Sequence, residues 1–223
     1  MTAATSGRLI DLSHAIEHGL RTYPGLPEPR VDAWLTHDDS RGRYAPGTEF
    51  HIGRIEMIAN TGTYLDSPFH RWRDGADVSG LALETLADLR GRVVDAPAAG
   101  RRIDVSSLPA TDLAGCAVLF RTGWSRHWGT PRYFEGHPFL DGEVGARRRA
   151  ARVSLVGIDS LNIDDTEGGE RPVHSALLRA GIPIVEHLTC LDALPASGFR
   201  FFAVPVKVRG MGTFPVRAFA RID

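Results

Sequence analysis

Ile58 to Asp77 reads IANTGTYLDSPFHRWRDGAD and gathers more polar chemistry in a short span than any other part of the chain. An apolar lead-in of Ile55, Met57 and Ile58 runs into Asn60-Thr61-Gly62-Thr63, and Asp66, Pro68 and His70 follow at even spacing. In an extended segment, residues two apart share a face, so Asn60, Gly62, Tyr64, Asp66, Pro68 and His70 are expected to point the same way. That face would carry an amide, a phenol, a carboxylate and an imidazole around a glycine that admits close approach to the backbone. The same composition, rich in Asn, Thr, Gly, Asp, Ser and Pro, also fits a solvated loop, and the residues by themselves leave both readings open.

Strand signals surround this stretch. Apolar or alternating runs are expected to form strands at Arg8–His14, Arg30–Thr36, Glu49–Ile58, Gly91–Ala96, Ala117–Thr122, Val153–Asp159, Ile182–Glu186, Phe199–Val206 and Pro215–Ile222. A brief strand is expected at Ile103–Val105, followed by a turn or helix start at Ser106–Pro109. Helices are fewer: one over Glu143–Arg152, and a run opened by His174 that continues through Ser175–Ala180 and stops at Gly181. A rigid Pro/Gly loop spans Thr22–Pro27, an exposed polar loop spans Asp38–Arg43, and an irregular, aromatic-rich segment runs from Trp128 to Asp141. Strands alternating with only a few helices imply an α/β fold with β-rich layers, not a barrel of repeated βα units.

With 223 residues, 43% hydrophobic and 24% charged, the chain is expected to form a single domain over 1–223, with 1–7 a polar tail. A net charge of −1, with no like-charge block longer than Arg147-Arg148-Arg149, gives no electrostatic pull toward nucleic acid or an anionic membrane. Cys116 and Cys190 lie in apolar surroundings without C-x-x-C spacing and read as buried thiols of a reducing compartment. The opening MTAATSGRLIDLSH lacks an apolar signal core, and no run approaches the roughly 18 apolar residues that span a bilayer, so a cytoplasmic location is expected. His37 and His51 flank the second and third strands and read as surface or packing histidines.

The central stretch resembles the signature of the cyclase family, metal-dependent hydrolases of the kynurenine formamidase and isatin hydrolase type, whose pattern is H-x-G-T-H-x-D-x-P-x-H. Gly62, Thr63, Asp66, Pro68 and His70 match it, while Asn60 and Tyr64 stand where the family has two metal-ligating histidines. Further likeness lies in Asp11-Leu12-Ser13-His14, Tyr23-Pro24-Gly25, Thr122-Gly123-Trp124, His174 at a helix start, and Ile184-Val185-Glu186-His187-Leu188. The resemblance implies a swivelling β/β/α sandwich and a homodimer or larger homo-oligomer. It also implies metal ligation by Asp66, His174 and Glu186, with Asn60, Trp124 and Tyr23 toward the substrate and the segment after Trp128 walling the pocket. By themselves His174 and Glu186 read as a helix-end histidine and a surface carboxylate.

Three functions are compatible with these residues. The first is a hydrolase that opens an amide or lactone in a small cyclic or aromatic substrate, with His70 as general acid and base and Asn60 and Tyr64 as donors to the carbonyl. In it, one weakly held divalent ion, Zn²⁺ or Mn²⁺, sits on Asp66, His174 and Glu186. The second is a metal-independent cyclase, dehydratase or isomerase using His70, Tyr64 and a carboxylate such as Asp66. The third is an inactive small-molecule binder, against which the retained His70 argues.

Overall fold

The computed structural model describes residues 7–96, 100–104, 113–143 and 152–222. At its centre four strands run parallel: β5 (Leu89–Asp95), β7 (Cys116–Arg121), β9 (Leu155–Ile158) and β10 (Ile184–Glu186). The near-continuous apolar runs of β7, β9 and β10 are what strands covered on both faces require, whereas β5, LRGRVVD, keeps an exposed Arg90 and a half-buried Arg92. One face packs Val118, Phe120, Val156, Ile158 and Ile184 against Val173, Leu177 and Leu178 of the helix α2 (Pro172–Arg179). The other packs Leu65, Leu119, Leu155, Val185 and Phe201 with Leu12, Leu188 and Leu191.

Antiparallel strands extend this centre on both sides. Beyond β5 come β11 (Ser197–Phe202), β13 (Phe219–Ile222) and β1 (Arg8–Asp11); beyond β10 come β4 (Tyr64–Asp66) and β12 (Thr213–Pro215). The result is a mixed nine-stranded sheet, so the α/β expectation holds. Two small sheets stand apart from it, the hairpin of β2 (Arg30–Leu35) with β3 (Ile52–Glu56), and the pair of β6 (Arg102–Ile103) with β8 (Phe139–Leu140).

Several local expectations change. The run at Pro215–Ile222 is two strands: β12 pairs with β4, and after a break β13 pairs with β1 and β11. The polar loop after β2 begins with a single helical turn, α1 (His37–Ser40), because the Thr36 hydroxyl accepts from the Asp39 amide as an N-cap. The irregular Trp128–Asp141 segment holds a 3-10 turn at Pro131–Phe134 as well as β8. Cys116 is buried as expected, but Cys190 is exposed, since it sits in a left-handed turn (φ 54°) that carries it off the sheet. All but the two end residues of the expected helix over Glu143–Arg152, the turn at Ser106–Pro109 and most of the N-terminal tail lie outside the described residues.

Candidate active site

The central stretch is not one extended face. Gly62 takes a left-handed conformation (φ 67°), β4 is only Tyr64–Asp66, and Pro68–His70 forms a 3-10 turn started by the proline. Asn60 and Gly62 therefore leave the line of Tyr64 and Asp66, and His70 rejoins Asp66 through the turn. A Cβ on Gly212 would come within 2.7 Å of the His70 backbone, so only glycine lets β12 seat the turn this closely.

Strand register assembles the rest. β4 lies between β10 and β12, with Tyr64 opposite Glu186 on one side and Asp66 opposite Thr213 on the other. Tyr64, Asp66, Glu186 and Thr213 are all buried. Thr213 donates its hydroxyl proton to Asp66 Oδ1, and the threonine Oγ1 lies 2.8 Å from His70 Nδ1. The threonine proton being committed to the carboxylate, neutral His70 must donate from Nδ1, which leaves its Nε2 as a bare lone pair. Asp66 Oδ2 is buried without a hydrogen-bond partner among the described residues.

His174, the third residue of α2, points into the same cluster. Its Nδ1 donates to Asp164 Oδ2 (2.7 Å), and Asp164 also accepts from the Val173 and His174 amides at the start of the helix. Its Nε2 lies 3.6 Å from Asp66 Oδ2 and 3.5 Å from Glu186 Oε1. Burial opposes charge on this imidazole, but the bond to Asp164 and the neighbouring Asp66 and Glu186 carboxylates outweigh it, raising its pKa to about 10. Burial pushes Glu186 up to about 7, with His174 opposing and Asp66 adding to the shift. Burial works the same way on Asp66, yet His70, His174 and Thr213 hold it below the ordinary carboxylate range.

The expected ligand set is thus gathered only in part. Asp66, His70 and His174 each offer a donor atom, all within 4.8 Å of one another. Glu186 reaches His174 alone of these, because its Oε1 accepts from the Ile163 amide (2.7 Å) and its Oε2 from the Tyr64 hydroxyl (2.7 Å). Asp66 Oδ2, which makes no hydrogen bond among the described residues and lies 3.6 Å from His174 Nε2, and the His174 ring once it gives up its proton are donors that suit one divalent cation, with the His70 imidazole beside them.

Tyr64 and Asn60 are not free donors. The Tyr64 phenol is fully buried, gives its proton to Glu186 and accepts from the Asn60 side chain, and burial with the nearby Glu186 and Asp66 charges pushes its pKa well up. Asn60 and Tyr64 thus form a hydrogen-bonded pair that ends on Glu186. Trp124 is 6% exposed, its indole donates to the Tyr133 carbonyl, and it packs with Tyr133 and Leu161, so little of the ring is open to a substrate. Tyr23 is half-buried, bonded to Thr166 and Arg171, and close enough to feel the Glu186 charge.

Four participants went unrecognised in the sequence. Thr213 lies 147 residues from Asp66, Asp164 lies ten residues before His174, and no local pattern marks either. His187 carried a signal in its place beside Glu186; His14 carried one in the Asp-Leu-Ser-His run. His14 stacks on Trp128 with ring centroids 4.0 Å apart, and burial lowers its pKa to about 4. Its Nε2 is buried without a hydrogen-bond partner among the described residues.

The family model described as "Putative cyclase" matches residues 10–165. A kynurenine formamidase of Salinibacter ruber is 30% identical over 216 residues, covering 96% of this chain and 97% of its own. A solved structure described as a "potential metal-dependent hydrolase with cyclase activity" superposes with a TM-score of 0.77 at 25% identity, covering 96% of both chains. Isatin hydrolase A of Ralstonia solanacearum shares the fold with a TM-score of 0.83 at 24% identity, covering 97% of this chain and 92% of its own. The chain belongs to the cyclase family of hydrolases.

Proposed function

We propose that the chain hydrolyses the amide bond of a small aromatic or cyclic substrate, an aryl formamide or a cyclic amide, with His70 as the general base and acid. The observation that carries this is the Asp66–Thr213–His70 chain, which turns a bare imidazole nitrogen outward beside a candidate cation site. His70 is 36% exposed on its side chain, enough to meet substrate, whereas Asp66 and His174 are buried. The names of the kynurenine formamidase and isatin hydrolase relatives point to the same bond type.

His70 Nε2 takes a proton from water as the water oxygen bonds to the amide carbon. The protonated His70 then gives that proton to the departing nitrogen as the C–N bond breaks, leaving a carboxylic acid and an amine. Asn60 has a second N–H beyond the one given to Tyr64, and it is half-buried at the site's edge, where it can face the substrate carbonyl. Asp66 and His174 would hold a divalent ion, Zn²⁺ or Mn²⁺, with Glu186 behind His174; such an ion polarises a carbonyl oxygen and makes water more acidic. One ion is expected and not two, because Asn60 is bonded to Tyr64 and Tyr64 to Glu186.

The test is to measure turnover of N-formylkynurenine and of isatin together with bound Zn²⁺ and Mn²⁺, in wild type and in His70→Ala. We expect kcat to fall by about 10²–10⁴, with the metal content unchanged at one ion or fewer per chain. Wild-type turnover in a folded variant would remove His70 from the chemistry, and loss of the ion would make it a ligand instead of a base. One observation favours a metal-independent cyclase or dehydratase as the second reading: a protonated His174 already offsets the buried carboxylate charge. Full activity after exhaustive chelation would select it.

A further inference from the structure

We propose that Arg71 is a specificity-determining residue that takes the carboxylate of an anionic substrate, so that the amides this site opens best are aryl formamides bearing an acid group. The proposal rests on the amide-hydrolase reading of the site, and it concerns residues outside the family signature.

Arg71 follows His70, and its Nε donates at 3.1 Å to the hydroxyl of Ser175, which follows His174. One guanidinium thus joins the turn that carries the first imidazole to the helix that carries the second, and the two rings lie 6.0 Å apart between centroids. The arginine is also held from behind. Its guanidinium stands 4.5 Å from the centroid of the Trp72 ring, and the same ring meets the Arg179 guanidinium at 5.0 Å, which both oxygens of Asp74 hold at 3.0 Å. With Nε spent on Ser175, the two terminal NH2 groups have no partner among the described residues, and Arg71 is exposed. Two N–H bonds in one plane match the two oxygens of a carboxylate.

The charges around His70 favour the same ligand. Segment 204–212 packs on the His70 turn through Gly212, the Met211 carbonyl and the Gly210 amide. Together with residues 68–77 it carries four cations, Arg71, Arg73, Lys207 and Arg209, all exposed, and two carboxylates. Both carboxylates are already engaged. Asp74 holds Arg179, and Asp77 accepts from the Ser79 hydroxyl and the Gly80 and Gly210 amides. None of the four cations therefore has a carboxylate partner among the described residues, and a rim of this sign draws anions toward His70. A substrate carboxylate supplies the charge that the rim lacks.

The test compares N-formylanthranilate with formanilide, two aryl formamides that differ by one carboxylate, in wild type, Arg71→Gln and Arg71→Lys. We expect wild type to favour the acid in kcat/KM, and Arg71→Gln to lower that preference roughly tenfold, with the loss in the KM of the acid. Glutamine keeps an amide that can reach Ser175, so a merely structural role would leave the preference where it was. Arg71→Lys should recover part of it, because lysine returns the charge without the planar fork. A wild type that favours formanilide overturns the proposal, as does an equal preference in wild type and Arg71→Gln. Wild-type protein that opens neither amide counts against the proposed function, and calorimetric titration with anthranilate then decides the place of Arg71. Binding that Arg71→Gln weakens upholds it, and equal or absent binding overturns it.

Discussion

At the scale of single residues the site is defined by where protons sit. His174 can meet a cation only through Nε2, since Nδ1 is bound to Asp164, and without an ion the neighbouring carboxylates hold that imidazole protonated up to about pH 10. Ion binding near neutral pH must displace this proton, so affinity should rise with pH and each Zn²⁺ bound should release about one proton or more. Calorimetric titration in buffers of different ionisation enthalpy measures the number, and zero would mean that His174 is not a ligand. His187 gives a second prediction, this one on stability. Burial lowers its pKa to about 3, from an ordinary 6.5. Between those values the unfolded chain binds a proton that the native chain does not, so this contribution is intact above pH 6.5 and is lost as pH falls toward 3. Glu186, raised to about 7, acts in the opposite sense between its ordinary 4.5 and 7, so the measurable quantity is a difference. Urea midpoints of wild type and His187→Gln, compared at pH 7.5 and pH 5, should show a smaller acid loss in the variant. Equal losses would mean that His187 takes up no proton on unfolding.

At the scale of elements, the site depends on three short strands held in register. β4 is three residues long, yet pairing on both edges fixes it, and that pairing puts Thr213 against Asp66 and Tyr64 against Glu186. The strands themselves were legible from apolar runs, as were α2 after His174 and the signature around Asp66. What could not be read was how distant strands pair, because a pairing partner leaves no local pattern. Thr213 stands 147 residues from Asp66, and its role exists only through that register. The supposed common face failed for a related reason: the alternation rule assumes unbroken extension, and Gly62 and Pro68 each end it. Gly212 offers the prediction at this scale. An alanine there puts its Cβ 2.7 Å from the His70 backbone, which must shift, and a misplacement near 1 Å can cost on the order of 100-fold in rate. Gly212→Ala should therefore lower kcat by roughly that factor while leaving bound ion on Asp66 and His174 nearly unchanged. Unaltered turnover would show that the His70 turn tolerates the shift.

At the scale of the whole molecule, one part of the fold is not self-sufficient. The β2–β3 hairpin is a two-stranded sheet of its own, and an isolated two-stranded ribbon is marginally stable in water. Its cross-strand partners Val31 and Ile55 are 42% and 50% exposed, Ile52 is 47% exposed and Trp34 is 71% exposed, so it presents apolar side chains on both faces. On one face the Asp32–Arg54 ion pair and the cross-strand Arg30 and Glu56 temper this, and exposed pairs of that kind contribute at most about 1 kcal/mol. Contiguous apolar surface on an ordered element is characteristic of a protein interface. The family resemblance implies self-association, and a second copy of the chain covering this hairpin would supply the missing burial. Light scattering at micromolar protein should accordingly give at least twice the chain mass of 24.3 kDa. Trp34→Glu combined with Ile55→Glu places two charges in that surface, clear of every residue assigned to the chemistry, and should shift the mass toward a single chain. Wild-type protein that scatters as one chain would leave the hairpin without a partner of its own kind, and an assembly unaffected by the two glutamates would locate the contact elsewhere.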